Sequence, residues 1–120
     1  MISSRRYHRI DLSSKATVHY RDNCFEGVIG AISLGGAAIN FTGCAMIPEN
    51  DECVISVGLD ETKPLLQLNA RITNSSVSRI GVAFINMDNV TKHLLYSSLK
   101  KLSQEPESLG KEFNLIIALS

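Results

Sequence analysis

Apolar and polar residues alternate in short runs through the middle of the chain and recur at helical spacing only near its end. The alternation is longest over residues 65–77. There Leu66, Leu68, Ala70 and Ile72 fall on one face, and Gln67, Asn69, Arg71 and Thr73 on the other. This is the period-two pattern of a strand with one buried face. Residues 16–20, 25–32, 37–41, 53–59 and 80–85 are further runs rich in residues that suit a pleated surface, separated by Gly, Asn, Asp, Pro and Ser. Six short strands at this spacing, spread over residues 14–86, predict a small antiparallel barrel or sandwich. Closure into a barrel removes the exposed edges that such strands otherwise present.

The period changes after residue 86. Asp88 or Asn89 offers an N-cap, and Val90, Leu94, Leu95, Leu99 and Leu102 recur at helical spacing, which predicts an amphipathic helix over residues 89–103. Lys100 and Lys101 suit the C-terminal end of its dipole, and Pro106 stops it. The apolar run 113–119 is too short to cross a bilayer. It is expected to pack on the barrel or against a second copy.

At 120 residues the chain fits one domain. The expected division is an arginine-rich mobile segment over 1–13, the barrel over 14–86, a helix over 87–105 and a tail over 106–120. Hydrophobic residues make up 44% of the sequence, which argues against a disordered chain. Twelve basic residues balance twelve acidic ones, there is no tryptophan, and only seven residues are aromatic. A barrel that binds nucleic acid polymers usually offers a basic surface and aromatic platforms, so that function is disfavoured. With no secretory h-region and no membrane-length apolar stretch, the expectation is a cytoplasmic protein without membrane insertion.

Catalytic constellations fail quickly. His8, His19 and His93 sit on three different predicted elements, no G-x-S-x-G elbow or phosphate loop occurs, and Asp51, Glu52, Asp60 and Glu61 fall in predicted turns with no acid–base pairing. Cys24, Cys44 and Cys53 form no C-x-x-C pair and have no histidine at metal-ligand spacing, so they read as small buried side chains. The chain is therefore not expected to be an enzyme, nor to hold a metal or cofactor.

Two features remain. Arg5-Arg6-Tyr7-His8-Arg9 concentrates three arginines in five residues of a neutral protein. Guanidinium groups grip phosphate oxygens bidentately and stack on flat rings. Ala31-Ile32-Ser33-Leu34-Gly35-Gly36-Ala37 interrupts two strand-like runs. Its glycines admit positive φ and close approach of a ligand, and Ser33 both donates and accepts hydrogen bonds.

Together, and in this order, the two features resemble the PilZ domain family of bacterial receptors for cyclic di-GMP. The family pattern is R-x-x-x-R near the N-terminus, then [D/N]-x-S-x-x-G. Arg5 and Arg9 match the first motif, and Ser33 and Gly36 the later part of the second. Gly81-Val82-Ala83-Phe84 is similar to the family's last barrel strand, and the resemblance covers residues 5–103. It implies a six-stranded antiparallel split barrel with a C-terminal helix. Arg5 and Arg9 would hold phosphates and guanine faces, with Arg6 supporting the charge. Ser33 would hydrogen-bond the ligand and Gly36 would let the turn pass close to it. Binding would order the arginine segment and recruit or release an unidentified protein partner.

One position departs from the pattern. Ala31 stands where the family has Asp or Asn, whose side chain contacts a guanine edge. An unpaired polar group costs roughly 1–3 kcal/mol. The implied function is a weaker receptor, and its rival is a degenerate PilZ-like adaptor that binds protein and no nucleotide. In the family the residue just before the first motif arginine influences how many ligands bind, and Ser4, which is not an arginine, implies by that resemblance one ligand per chain.

Overall fold

The computed structural model describes residues 8–43, 47–59 and 65–118. Six strands form a closed antiparallel barrel: β1 Ile10–Tyr20, β2 Asn23–Ile32, β3 Gly36–Phe41, β4 Glu52–Val57, β5 Leu66–Ser75 and β6 Arg79–Phe84. Their order around the barrel is β1-β2-β3-β6-β5-β4, and β1 pairs with β4 to close it through Ala16↔Val57 and Val18↔Ile55. Alternation sends one side chain in two inward. Val18, Ile29, Ile39, Ile55, Leu68, Ile72 and Ile80 are fully buried and fill the barrel. Each β-branched or γ-branched side chain so buried stabilises the fold by about 1.5–3 kcal/mol.

The barrel is thus the predicted one, with one boundary displaced. β1 begins at Ile10, inside the segment expected to be a mobile arm. Asp11, Ser13, Ser14 and Lys15 carry no apolar alternation, so the sequence hides this half of the strand. Its pairing to β2, Ile10↔Ile32 and Asp11↔Ala31, extends it. Three bulges lie close together in the barrel wall. The register slips between Asp11 and Ser14 in β1, between Ile29 and Ala31 in β2, and between Ile72 and Asn74 in β5. A bulge bends its strand and re-aims side chains, so three in one region curve the wall locally.

Helix α1 spans Asn89–Leu102, and its N-cap is Asp88, whose Oδ1 accepts from the Thr91 N–H at 2.7 Å. That bond holds the Asp88 carboxyl below its usual range. The buried stripe is narrower than the sequence implied. Leu95, Ser98 and Leu99 face the core, whereas Val90 and Leu102 are exposed.

The expected tail is a second helix, α2 Pro106–Ala118. Pro106 does not merely stop α1. It occupies the first position of the new helix, where its missing N–H costs nothing and its fixed φ is already helical. Leu109 and Phe113 join the core cluster, and the Phe113 ring stacks on Tyr96 of α1 at 4.2 Å. The tail therefore packs internally at these residues. Among the described residues no helix is long and apolar enough to cross a membrane.

The cysteines divide. Cys53 is buried and its thiol is pushed up to about 11 by burial, while Cys24 is exposed with its Sγ 3.2 Å from His19 Nδ1. The expectation that all three are buried fails at Cys24, because it lies where β2 leaves the hairpin turn. Cys44 falls outside the described residues, as do Asp60 and Glu61.

Candidate functional site

A groove of about 480 Å³ lies on the outside of the barrel, beside the bulged wall. Arg9 stands at one side of it. The turn at residues 33–36 and the small side chains Ala31, Ala38, Gly81 and Ala83 form its floor, and Thr73, Asn74 and Arg79 line the rest.

The floor follows from strand register. Ala31 of β2 pairs with Ala38 of β3, Ala38 with Gly81 of β6, and Gly81 with Asn74 of β5. Directly opposed residues share a face. One row across four strands thus reads Ala, Ala, Gly, Asn, and Asp11 of β1 extends it on the other side of Ala31. Three consecutive small residues leave a shallow, flat strip on the outer wall.

The turn at 33–36 is held by its own serine. Ser33 Oγ accepts from the Gly35 and Gly36 N–H groups at 3.1 and 3.2 Å, and the Ser33 N–H donates to the Gly36 carbonyl at 2.8 Å. The hydroxyl donates to the same carbonyl at 3.4 Å, a long contact. Ser33 is buried, so its first role is to fold the turn.

Gly36 differs from its expected part. No described glycine has positive φ, so conformational freedom is not what this position uses. A Cβ there would lie 2.1 Å from the Val82 carbonyl oxygen of β6. Glycine is required because the β6 backbone passes against it. The Phe84 N–H donates to the Gly35 carbonyl at 2.9 Å and ties the same turn to the same strand.

Electrostatically the groove is cationic. Arg9 and Arg79 both line it, both are exposed, and no acidic side chain lines it among the described residues. Neither guanidinium has an ion-pair partner among the described residues. Arg71 and Arg21, by contrast, pair with Glu52 at 3.1 Å and Asp51 at 3.6 Å.

Of the residues the sequence singled out, the structure brings Arg9, Ser33 and Gly36 to one groove, together with Ala31. Arg5 and Arg6 lie outside the described residues. Of the three residues between the motif arginines, His8 lies among the described residues and is anchored. Its N–H donates to Glu112 Oε2 of α2 at 2.6 Å, and its Nε2 lies 3.1 Å from Ser103 Oγ. Burial raises the Glu112 carboxyl above its usual range, against the lowering effect of the bond from His8. Asn74 and Arg79 were missed. They lie more than 35 positions beyond the second motif, and only the β3–β6 and β5–β6 pairings carry them to the groove.

The PilZ domain family profile matches residues 3–101. The chain belongs to the PilZ domain family. No curated protein matches it significantly.

Solved structures agree on the fold of this PilZ domain. It is similar to the PilZ domain of YcgR from Escherichia coli, solved with c-di-GMP, at 18% identity and a TM-score of 0.73, covering 92% of this chain and 98% of that one. It is similar to the PilZ domain of CeSA from a cellulose-synthesizing bacterium at 25% identity and a TM-score of 0.62, covering 79% and 94%. The inhibitor of motility MotI (DgrA) of Bacillus subtilis matches at 15% identity with a TM-score of 0.65, covering 78% of this chain. This chain spans 48% of the MotI chain's length.

Proposed function

We propose that this PilZ domain is a receptor for cyclic di-GMP that passes ligand binding to a partner protein in the bacterial cytoplasm, without a catalytic step of its own. The observation that carries this reading is the groove. Arg9 and Arg79, neither of them ion-paired among the described residues, line it above a floor of small residues, beside the serine-glycine turn. A ligand with two phosphodiester charges and two flat bases fits both properties. The YcgR PilZ domain of the same fold was solved with that ligand.

Arg5 and Arg9 take phosphate oxygens and guanine faces, and Arg6 adds to the local charge. Ser33 has little spare accepting capacity, because its oxygen already holds two N–H groups. Its O–H sits in a long contact and can turn to the ligand. Gly36 keeps β6 and the turn close together and so shapes the floor.

A route to the partner is built into the segment. His8 lies between Arg5 and Arg9 and is bonded to Glu112 of α2 and to Ser103 beyond α1. A ligand that draws the arginines onto the groove acts on His8, and through it on the helices. The population of helix positions then shifts with ligand, and a partner that prefers one of them is recruited or released.

Calorimetric titration of the purified protein with cyclic di-GMP tests the reading. Binding is expected for the wild type, with each of Arg5→Ala and Arg9→Ala losing about 1.5–3 kcal/mol, the range for hydrogen bonds to charged groups. No heat at high micromolar protein rejects it. In that case the second reading stands, a PilZ-like adaptor that binds protein alone, which Ala31 favours.

A further inference from the structure

We infer that the β5–β6 hairpin supplies half of the ligand site, with Asn74 reading a guanine edge in place of residue 31 and Arg79 holding a phosphate from the far wall. This rests on the receptor reading above and specifies its ligand contacts.

The row of paired residues gives the argument for Asn74. Ala31, Ala38 and Gly81 are too small to touch a base with a polar group, so on the β5 side of Ala31 the next residue along the row is the first that offers one, and unlike Asp11 at the other end it lines the groove. That residue is Asn74. The bulge between Ile72 and Asn74 places it, and its side chain folds back over the floor. A Cβ added at Gly81 would lie 2.5 Å from Asn74 Nδ2. The amide therefore lies over Gly81, towards Ala38 and Ala31, and not away from the barrel. The absence of a side chain at Gly81 is what permits this. Asn74 is exposed, and its amide has no hydrogen-bond partner among the described residues. An amide presents a donor and an acceptor side by side, which match the O6 acceptor and N1–H donor on the Watson–Crick edge of guanine.

Arg79 occupies the same face of β6 two residues before Gly81, so it stands beside the strip that Asn74 covers. With Arg9 at the opposite side, the groove has a cation on each flank. A cyclic dinucleotide carries two phosphodiesters separated by its ring, and opposed cations match that arrangement. The Asp or Asn that the family has at position 31 is thereby replaced from three strands away.

Calorimetric titrations with cyclic di-GMP and with cyclic di-AMP, on the wild type and on Asn74→Ala, Arg79→Ala, Gly81→Ala and Asp11→Ala, decide the matter. The wild type should prefer cyclic di-GMP. Asn74→Ala should weaken cyclic di-GMP binding roughly 5- to 150-fold and shrink that preference, since a guanine edge is left unpaired. Gly81→Ala, which keeps the amide but pushes it off the floor, should do the same. Arg79→Ala should weaken both ligands alike and flatten the salt dependence of binding. Thermal unfolding of each variant at the wild-type midpoint separates these effects from misfolding. A wild type that binds while Asn74→Ala and Arg79→Ala bind equally well overturns this inference and leaves the receptor reading intact. Loss of guanine preference in Asp11→Ala alone also overturns it, by moving base recognition to the other end of the row. A wild type that binds neither ligand removes both readings.

Discussion

Replacing Gly36 with alanine separates a glycine kept for the fold from one kept for a ligand. A Cβ at Gly36 would sit 2.1 Å from the Val82 carbonyl oxygen, 3.2 Å from its carbon and 3.4 Å from Ala83 Cα. Ordinary contact begins near the last of these distances, so the first overlap exceeds an ångström. The opposing atom is backbone of a paired strand and has no rotamer to escape into. Relief requires β3 and β6 to part where Gly36↔Ala83 and Ala37↔Val82 hold the barrel closed. Overpacking costs about 1–3 kcal/mol where side chains yield. With a rigid backbone opposite, about 3 kcal/mol is expected. For a domain of this size that is a fall of roughly 10–15 °C in Tm. Gly43→Ala is the internal control, because a Cβ there meets nothing within 4 Å. It should leave stability unchanged or raise it by up to about 1 kcal/mol through the unfolded chain. Urea unfolding followed by circular dichroism measures both variants, with an unchanged slope showing that only stability has moved. If Gly36→Ala unfolds at the wild-type midpoint while binding is lost, the close strand crossing is not what fixes glycine at this position.

Three further outcomes follow from packing and charge. Ser33→Ala removes the acceptor for the Gly35 and Gly36 N–H groups, so it should cost about 1–2 kcal/mol in urea unfolding even without ligand; an unchanged midpoint would contradict the turn geometry. Glu112 has a raised carboxyl pKa in the fold, so the folded state binds its proton more tightly than the unfolded chain does. The resulting stabilisation is present below the ordinary glutamate range and is lost as pH rises through the raised value. Glu112→Gln should therefore gain stability relative to the wild type as pH rises above the ordinary glutamate range, and a parallel pair of pH profiles would refute the assignment. Iodoacetamide at pH 8 should label Cys24 in the native protein and leave Cys53 unmodified until denaturant is added, because the one thiol is exposed and the other is buried with its pKa near 11. Peptide mapping that finds Cys53 alkylated under native conditions would show an open barrel wall.

Local pattern determined much of this protein. Alternation marked β5, because a residue facing the barrel interior must be apolar while its neighbour faces water, and runs of residues that suit a pleated surface marked the other five strands at least in part. The 3.6-residue spacing and Asp88 marked α1. Arg9, Ser33 and Gly36 were visible as two short motifs, since each motif is contiguous in the chain. The first half of β1 was not legible, because Asp11 to Lys15 owe their strand to pairing with β2 and not to their own composition. Nor was α2, whose Leu109 and Phe113 find a buried surface only once α1 is in place. The far side of the groove was decided by tertiary structure alone. Asn74 and Arg79 are ordinary polar residues of a hairpin in sequence, and they reach the strip beside Ala31 only through the register of β3, β6 and β5. A motif records what neighbours in the chain do together. Residues that meet across a sheet are brought together by hydrogen-bond register, which no local stretch of sequence encodes.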